Sequence, residues 1–152
     1  TGKTQESVFH PVLEYELREE QFVLKEKHKS LPHGNLLILG GHQNNYFPKE
    51  LQIMNSILAT KPSLFYNYAF VVNLHQLIKS GGIFIYPQTE TYPSGKLRLW
   101  YEAKAAAFII EKLGGMATDG NKRILEKKDS PQAKTPLFLG NRNILQFFSN
   151  NN

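Results

Sequence analysis

Between Gly81 and Gly115 the chain brings together residue types that suit phosphate chemistry. It reads GGIFIYP, then a polar loop, then GKLRLWYEAKAAAFIIEKLGG. This order delivers Tyr86 at the end of an apolar run, Lys96 and Arg98 just past a turn, and Glu102 at the start of a helical pattern. Two cations and a phenol hydroxyl can neutralise and hydrogen-bond phosphate oxygens, while a carboxylate can hold a divalent metal beside them. Hydrolysis of a phosphate ester needs that combination. The pattern alone leaves another reading open: Lys96 and Arg98 as a surface pair, Tyr86 as a half-buried strand aromatic, and Glu102 as a first-turn acid that complements the helix dipole.

Other candidates are weaker. The five histidines, His10, His28, His33, His42 and His75, share no metal-ligand spacing. His28 and His33 fall in apparent turns, where a solvated imidazole is expected. Lys122, Arg123, Lys127, Lys128 and Lys134 could form a nucleic-acid patch, but a solvated basic face is favoured because no aromatic residues interleave with them. Gly40-Gly41 could begin a phosphate-binding turn, yet the further glycines of a dinucleotide fingerprint are missing.

Composition bounds the rest. The 152 residues carry 18 Lys+Arg against 13 Asp+Glu, a net charge of +5, no cysteine and 41% hydrophobic residues. That fits one domain with a real core and excludes disulfides, thiol nucleophiles and zinc-thiolate sites. No apolar run approaches the roughly 18–20 residues of a membrane span, and no signal-peptide core is present, so the expectation is a soluble cytoplasmic domain. Eleven of the 13 acids are Glu; Asp119 and Asp129 are the only Asp. Hydrolases that use Mg²⁺ gather several carboxylates around the ion, so a complete metal site is not expected in this chain alone. The first residue is Thr1, which suggests a processed, cropped or partial chain.

The elements that must position these residues follow from periodicity. Val8 to Arg18 alternates, with Phe9, Leu13, Tyr15 and Leu17 on one face, which predicts a half-buried strand with an edge or bulge near Pro11. Phe22-Val23-Leu24 makes a hairpin plausible, and Lys25 to Ser30 reads as a solvated turn region. Leu36 to Leu39 and Ile83 to Tyr86 read as interior strands. Helices are predicted after Pro48, over about 67–79, over about 102–113 and from an N-cap at Asn141 to Phe148, with short strands near 116–118 and 136–139. Strands alternating with helices indicate an α/β layered domain; the architecture expected, with the likeness described next, is a three-layer α/β/α sandwich with a mixed β-sheet.

Four segments come in a telling order: GGIFIYP at 81–87, GKLRLWYE at 95–102, EKLGGMATDG at 111–120 and PLFLGNRN at 136–143. In these the chain closely resembles the carboxy-terminal domain of the class I fructose-1,6-bisphosphatases, within the lithium-sensitive, Mg²⁺-dependent sugar and inositol phosphatases. The likeness is strong over about 81–148 and faint over 1–80, where VFHPVLEYEL looks like the family's strand ahead of the sugar-binding region. It implies that residues 1–152 form a single domain, the sugar-phosphate-binding half of a Mg²⁺-dependent hydrolase of the 1-phosphate of fructose 1,6-bisphosphate in gluconeogenesis. Its implied partners are the bisphosphate substrate, the amino-terminal catalytic domain of the same protein and further copies in a tetramer, with no nucleic acid or membrane. Glu102 matches the family's carboxylate metal ligand, and Arg98 an arginine on the metal and 1-phosphate side. Lys96 and Tyr86 match residues that hold the sugar and its 6-phosphate, and Tyr66 falls where a tyrosine touches that phosphate.

The departures from the family are specific. Its Asp-Pro-x-Asp-Gly-Ser-type motif, which supplies most metal ligands, is absent here and belongs to the amino-terminal half. Phe65 stands where the family has an arginine that reaches a neighbouring subunit's 6-phosphate. An asparagine and a tyrosine that hold this phosphate would fall near Leu39 and His42. Ala103-Lys104-Ala105 replaces the family's Cys-Asn-Pro. The expectation is therefore a fragment nearly inactive by itself, drawn from an active enzyme or from an inactive paralogue that still binds sugar phosphates.

Overall fold

The computed structural model describes residues 11–41 and 43–149. Strands β1 (Val12–Arg18) and β2 (Gln21–His28) form an antiparallel hairpin with a register shift at Glu14/Tyr15. Its two linking residues, Glu19 and Glu20, both have positive φ, as a tight hairpin turn requires. Strand β3 (Leu36–Leu39) leads to α1 (Pro48–Leu58), β4 (Ser63–Phe65), α2 (Phe70–Ser80) and β5 (Ile83–Tyr86). The short β6 (Leu97–Arg98) precedes α3 (Lys104–Lys112), β7 (Met116–Thr118), β8 (Lys134–Thr135), β9 (Leu137–Gly140) and α4 (Arg142–Ser149).

Five strands make one mixed sheet in the order β4-β3-β5-β9-β7. β3 runs parallel to β4 and β5, whereas β9 runs antiparallel to β5 and β7. Successive residues of the unbroken apolar runs serve opposite layers. Leu37, Leu39, Ile83, Ile85 and Phe138 pack in one cluster with Met54 and Ile57 of α1 and Leu145 of α4. Ile38, Phe84, Leu137 and Leu139 pack in the other with Leu77 of α2 and Ala106, Ala107 and Ile110 of α3. The sheet is thus the middle of an α/β/α sandwich, as expected. Small side chains at 106 and 107 let α3 lie close to the sheet.

One polar contact stitches this frame together. Asn141 sits just before α4, as a cap would, but its carboxamide reaches across the structure. The oxygen accepts the Gly82 N–H, the nitrogen donates to the Pro32 carbonyl at 3.0 Å, and the Asn141 N–H donates to the Gly82 carbonyl at 2.8 Å. Gly82 has φ of 111°, and a Cβ there would meet the Leu36 carbonyl oxygen at 2.1 Å, so only glycine fits.

The hairpin corrects three expectations. Leu13, Tyr15 and Leu17 do share a face, but that face is exposed, at 43, 51 and 62%. Period-two spacing says which side chains share a face and not which face meets the protein. Here the charged face docks. Glu14 contacts His28 at 2.8 Å, Lys25 at 3.3 Å, and His75 of α2 at 3.2 Å, while Lys79 of α2 bonds Glu26. Second, Lys25 to His28 belongs to β2, where Glu26, Lys27 and His28 pair with Glu14, Leu13 and Val12 of β1. Third, His28 is buried between Glu14 and Glu26 and is no solvated turn residue; His33 is exposed as expected. Phe9 and His10 lie outside the described residues. At the other helices the boundaries shift slightly: the helix expected from 67 begins at Phe70.

Two tests follow. Asn141→Ala leaves a buried N–H and carbonyl without partners and should lower unfolding free energy in urea by about 2–4 kcal/mol. The hydrogen bond from His28, aided by His75, Lys25 and Lys79 against the opposing effect of burial, lowers the Glu14 pKa from 4.5 to about 2. A depressed carboxyl contributes stability that is complete above pH 4.5 and lost as pH falls towards 2. Amide exchange in β2 should accelerate through that window, and Glu14→Gln should remove most of the acceleration.

Candidate phosphate-binding cleft

Three of the five candidate residues meet in one place. A cleft of about 150 Å³ opens at the carboxyl ends of β3 and β5 and is lined by Gly40, Gly41, Tyr66, Tyr86, Lys96 and the first turn of α2. Tyr86 arrives there as the last residue of β5, with its ring 6.1 Å from that of Phe84. Its position depends on Gly40, where a Cβ would lie 2.1 Å from the Tyr86 ring. Gly40 is held in turn by the buried Tyr46, whose hydroxyl donates to the Gly40 carbonyl at 2.7 Å. Burial first, with the neighbouring phenols Tyr86 and Tyr66, pushes the Tyr46 phenol well above its ordinary pKa and keeps it a donor.

Tyr66 follows the edge strand β4 and meets Tyr68 edge-on, with ring centroids 5.1 Å apart. The Tyr68 hydroxyl chiefly, and burial after it, raises the Tyr66 pKa, so this phenol too stays protonated at neutral pH. Lys96 follows the Tyr92–Gly95 turn, and its ammonium lies 5.4 Å from the Tyr92 ring. The cleft lining contains a lysine, three tyrosines and no carboxylate. That donor-rich set suits an anion.

Asn73 is a lining residue that sequence reasoning missed. It is 2% exposed; its amide nitrogen donates to the Asn67 carbonyl at 2.9 Å, and its Oδ1 has no protein partner among the described residues. A buried, unpartnered acceptor beside the phenols can receive a ligand hydroxyl. A polar residue inside the apolar stripe of α2 was the available signal.

Arg98 and Glu102 do not line this cleft. Arg98 precedes, and Glu102 lies within, a wide helical turn, Leu99–Ala103, whose i→i+5 bond from Lys104 to Leu99 adds a residue ahead of α3. The helix expected from Glu102 therefore starts at Lys104, because the Glu102 carboxylate folds back on its own turn. It accepts the Arg98 N–H at 2.8 Å and the Arg98 Nε at 3.3 Å. Such turns recur at functional sites. Lys104 lies with its ammonium 4.0 Å from the centre of the Trp100 ring, so it forms a cation–π contact there. No group of three or more ligand-capable side chains among the described residues includes Glu102. The one such group, Glu14, Glu26 and His28, is already engaged by Lys25, Lys79 and His75.

The positions of family departures are also visible. Phe65 is half-buried and packs on the core beneath β4, with Leu64 and Tyr66 beside it in a groove. Leu39 is buried in the sheet, while His42 lies outside the described residues. Of the basic residues near the C-terminus, Arg123 pairs with Glu111 and Glu126, and Lys127 with Asp119.

Fold and cleft together define a class: an α/β sandwich with its ligand-sized opening at the carboxyl ends of central strands, where such sheets bind ligands. Residues 31–150 match the family of the fructose-1,6-bisphosphatase carboxy-terminal domain, and the chain belongs to that family. It is 34% identical over 128 residues to a class 1 fructose-1,6-bisphosphatase of Methanospirillum hungatei, covering 84% of this chain and 41% of that protein. A class 1 fructose-1,6-bisphosphatase of Salinibacter ruber is 48% identical over 79 residues, 51% of this chain and 22% of its own length. The crystal structure of Leishmania major fructose-1,6-bisphosphatase in holo form superposes with a TM-score of 0.84 at 29% identity, over 93% of this chain and 47% of that one. The chain thus spans less than half the length of these relatives. No helix among the described residues is long and apolar enough to cross a membrane.

Proposed function

We propose that this chain is the substrate-holding half of a fructose-1,6-bisphosphatase, a hydrolase that releases the 1-phosphate of fructose 1,6-bisphosphate in cytoplasmic gluconeogenesis. The observation that carries the reading is the convergence of Tyr66, Tyr86 and Lys96 on one carboxylate-free cleft. Lys96 neutralises charge on the retained 6-phosphate, the Tyr66 and Tyr86 hydroxyls donate to its oxygens, and Asn73 Oδ1 accepts a sugar hydroxyl. Arg98, outside this cleft, draws the reacting phosphate towards Glu102.

Glu102 fits a hard divalent cation such as Mg²⁺ in donor type, since it is a half-buried carboxylate held in one orientation by the Arg98 N–H. It is one ligand of a set. The remaining carboxylates belong, on this reading, to an amino-terminal catalytic domain of the same protein, with residues 1–152 forming one carboxy-terminal domain. When bound, the ion supplies charge neutralisation and an activated water. The exposed apolar hairpin face of Leu13, Tyr15 and Leu17 supports a covering partner, either that domain or another copy in a tetramer.

Phe65 and Lys104 favour a second reading, a sugar-phosphate-binding paralogue without turnover. An apolar ring replaces an arginine in contact with the 6-phosphate, and a new cation stands two residues from Glu102. The gene upstream of the Thr1 codon decides between the two: an amino-terminal domain lacking the carboxylate motif would leave only the second.

In the complete protein Glu102→Gln should reduce Mg²⁺-dependent phosphate release by orders of magnitude. Its urea stability should change by less than about 1 kcal/mol, because the amide oxygen still accepts the Arg98 N–H. Lys96→Ala should instead raise KM with a smaller effect on kcat. Unchanged turnover in Glu102→Gln would exclude the metal-ligand role. The 152-residue chain alone should release no phosphate above background.

A further inference from the structure

On the α1/α4 side of the sheet, away from the Tyr66–Tyr86–Lys96 cleft, a second cavity of about 90 Å³ has a different chemistry. Its walls include Ile53 and Ile57 of α1, Ile85 of β5, Phe138 of β9 and Leu145 of α4. Among these apolar surfaces lies Glu50, only 8% exposed, in the first turn of α1. Its Oε1 accepts a hydrogen bond from Gln88 at 2.9 Å. Its Oε2 is shielded from solvent and has no hydrogen-bond partner among the described residues, and Lys49, which also lines the cavity, makes no ion pair with it.

A buried carboxylate with one oxygen unmet is costly unless it meets a cation or a proton. The other acid at the rim, Asp119, is already satisfied by Lys127 and by the N–H groups of Asn121 and Lys122. Of the two acids in the wall, Glu50 is therefore the one with an unpartnered oxygen. A bare metal ion would find one free carboxylate oxygen beside neutral side-chain oxygens such as those of Gln88 and Asn121, a weak set for a hard cation. A water could bond Glu50 Oε2 and the polar rim of the cavity, but it would leave the carboxylate's charge without a counter-ion. A short alkyl chain ending in an ammonium matches both features, and the cavity equals roughly three water molecules at about 30 Å³ each, room for four or five heavy atoms.

We propose that this cavity binds a small primary alkylammonium, with its charged end on Glu50 Oε2 and its chain against Ile53, Ile57, Phe138 and Leu145. This site is independent of phosphatase activity, and it stands whether or not the enzyme reading holds. Gln88, which orients Glu50, is two residues past Tyr86, so the two sites share one stretch of backbone.

The test is a titration of the isotopically labelled 152-residue chain with n-butylammonium chloride, followed by amide NMR shifts in α1 and at 118–121. Saturable shifts are expected there. Glu50→Gln should weaken binding at least tenfold, and n-butanol should bind at least tenfold more weakly than the ammonium. Ile53→Phe, which keeps Glu50 and fills the cavity, should abolish the shifts while the remaining spectrum stays folded. Absence of saturable shifts would overturn the proposal and indicate a cavity that holds water only. Equal binding of the ammonium and the alcohol would also overturn it, by showing that the charged end gains nothing from Glu50. If Glu50→Gln fails to fold, the alcohol comparison and Ile53→Phe still decide.

Discussion

Strand β5 is the constraint on which the remaining architecture depends. It lies between a parallel neighbour, β3, and an antiparallel one, β9, and Ile83, Phe84 and Ile85 are buried in alternate layers. With both faces and both edges occupied, neither its register nor its depth can slip without exposing one layer or the other. The entry to the strand is fixed at Gly82 by the Asn141 carboxamide, and its exit delivers Tyr86 beside Gly40. One rigid strand thus places the phenol of the cleft on one face and, through Gln88, the partner of Glu50 on the other.

Electrostatics divides the molecule along the same line. The cleft lining holds a cation, three phenols and no carboxylate, while acids elsewhere in the chain are tied up: Glu102 on its own turn, Glu111 with Arg123, Asp119 with Lys127. Positive potential at the cleft therefore survives without a large excess of charge across the chain. Lys104 is held at the Trp100 ring, so the segment that departs from the family pattern carries its extra charge on an aromatic face. Phe65 places an apolar ring on the core beside Leu64 and Tyr66.

How much of this was legible in the sequence depended on which kind of contact decided the outcome. Leu36 to Leu39 and Ile83 to Tyr86 could be recognised as interior strands because burial on both faces leaves an unbroken apolar run. Tyr66 could be joined to Tyr86 and Lys96 only through the family resemblance, since no spacing rule brings residues 66 and 96 together. The hairpin itself was legible, but not which of its faces docks, because Glu14, His28 and Lys79 make a better anchor than Leu13 and Tyr15 through a long-range contact between β1, β2 and α2. The wide turn before α3 was invisible for a similar reason: its extra residue depends on a side chain, Glu102, that binds back to the main chain. Asn73 and Glu50 are single polar residues in helical patterns, and only burial reveals that each keeps an unmet oxygen.

The central claim is that this chain by itself carries the sugar-phosphate contacts. Binding of fructose 6-phosphate to the 152-residue chain, without metal and followed by residue-resolved NMR, tests it most directly. Saturable shifts at Tyr66, Tyr86, Lys96 and Asn73, absent with fructose, are the predicted result. Saturation with shifts elsewhere, or equal response to fructose and its phosphate, would contradict it.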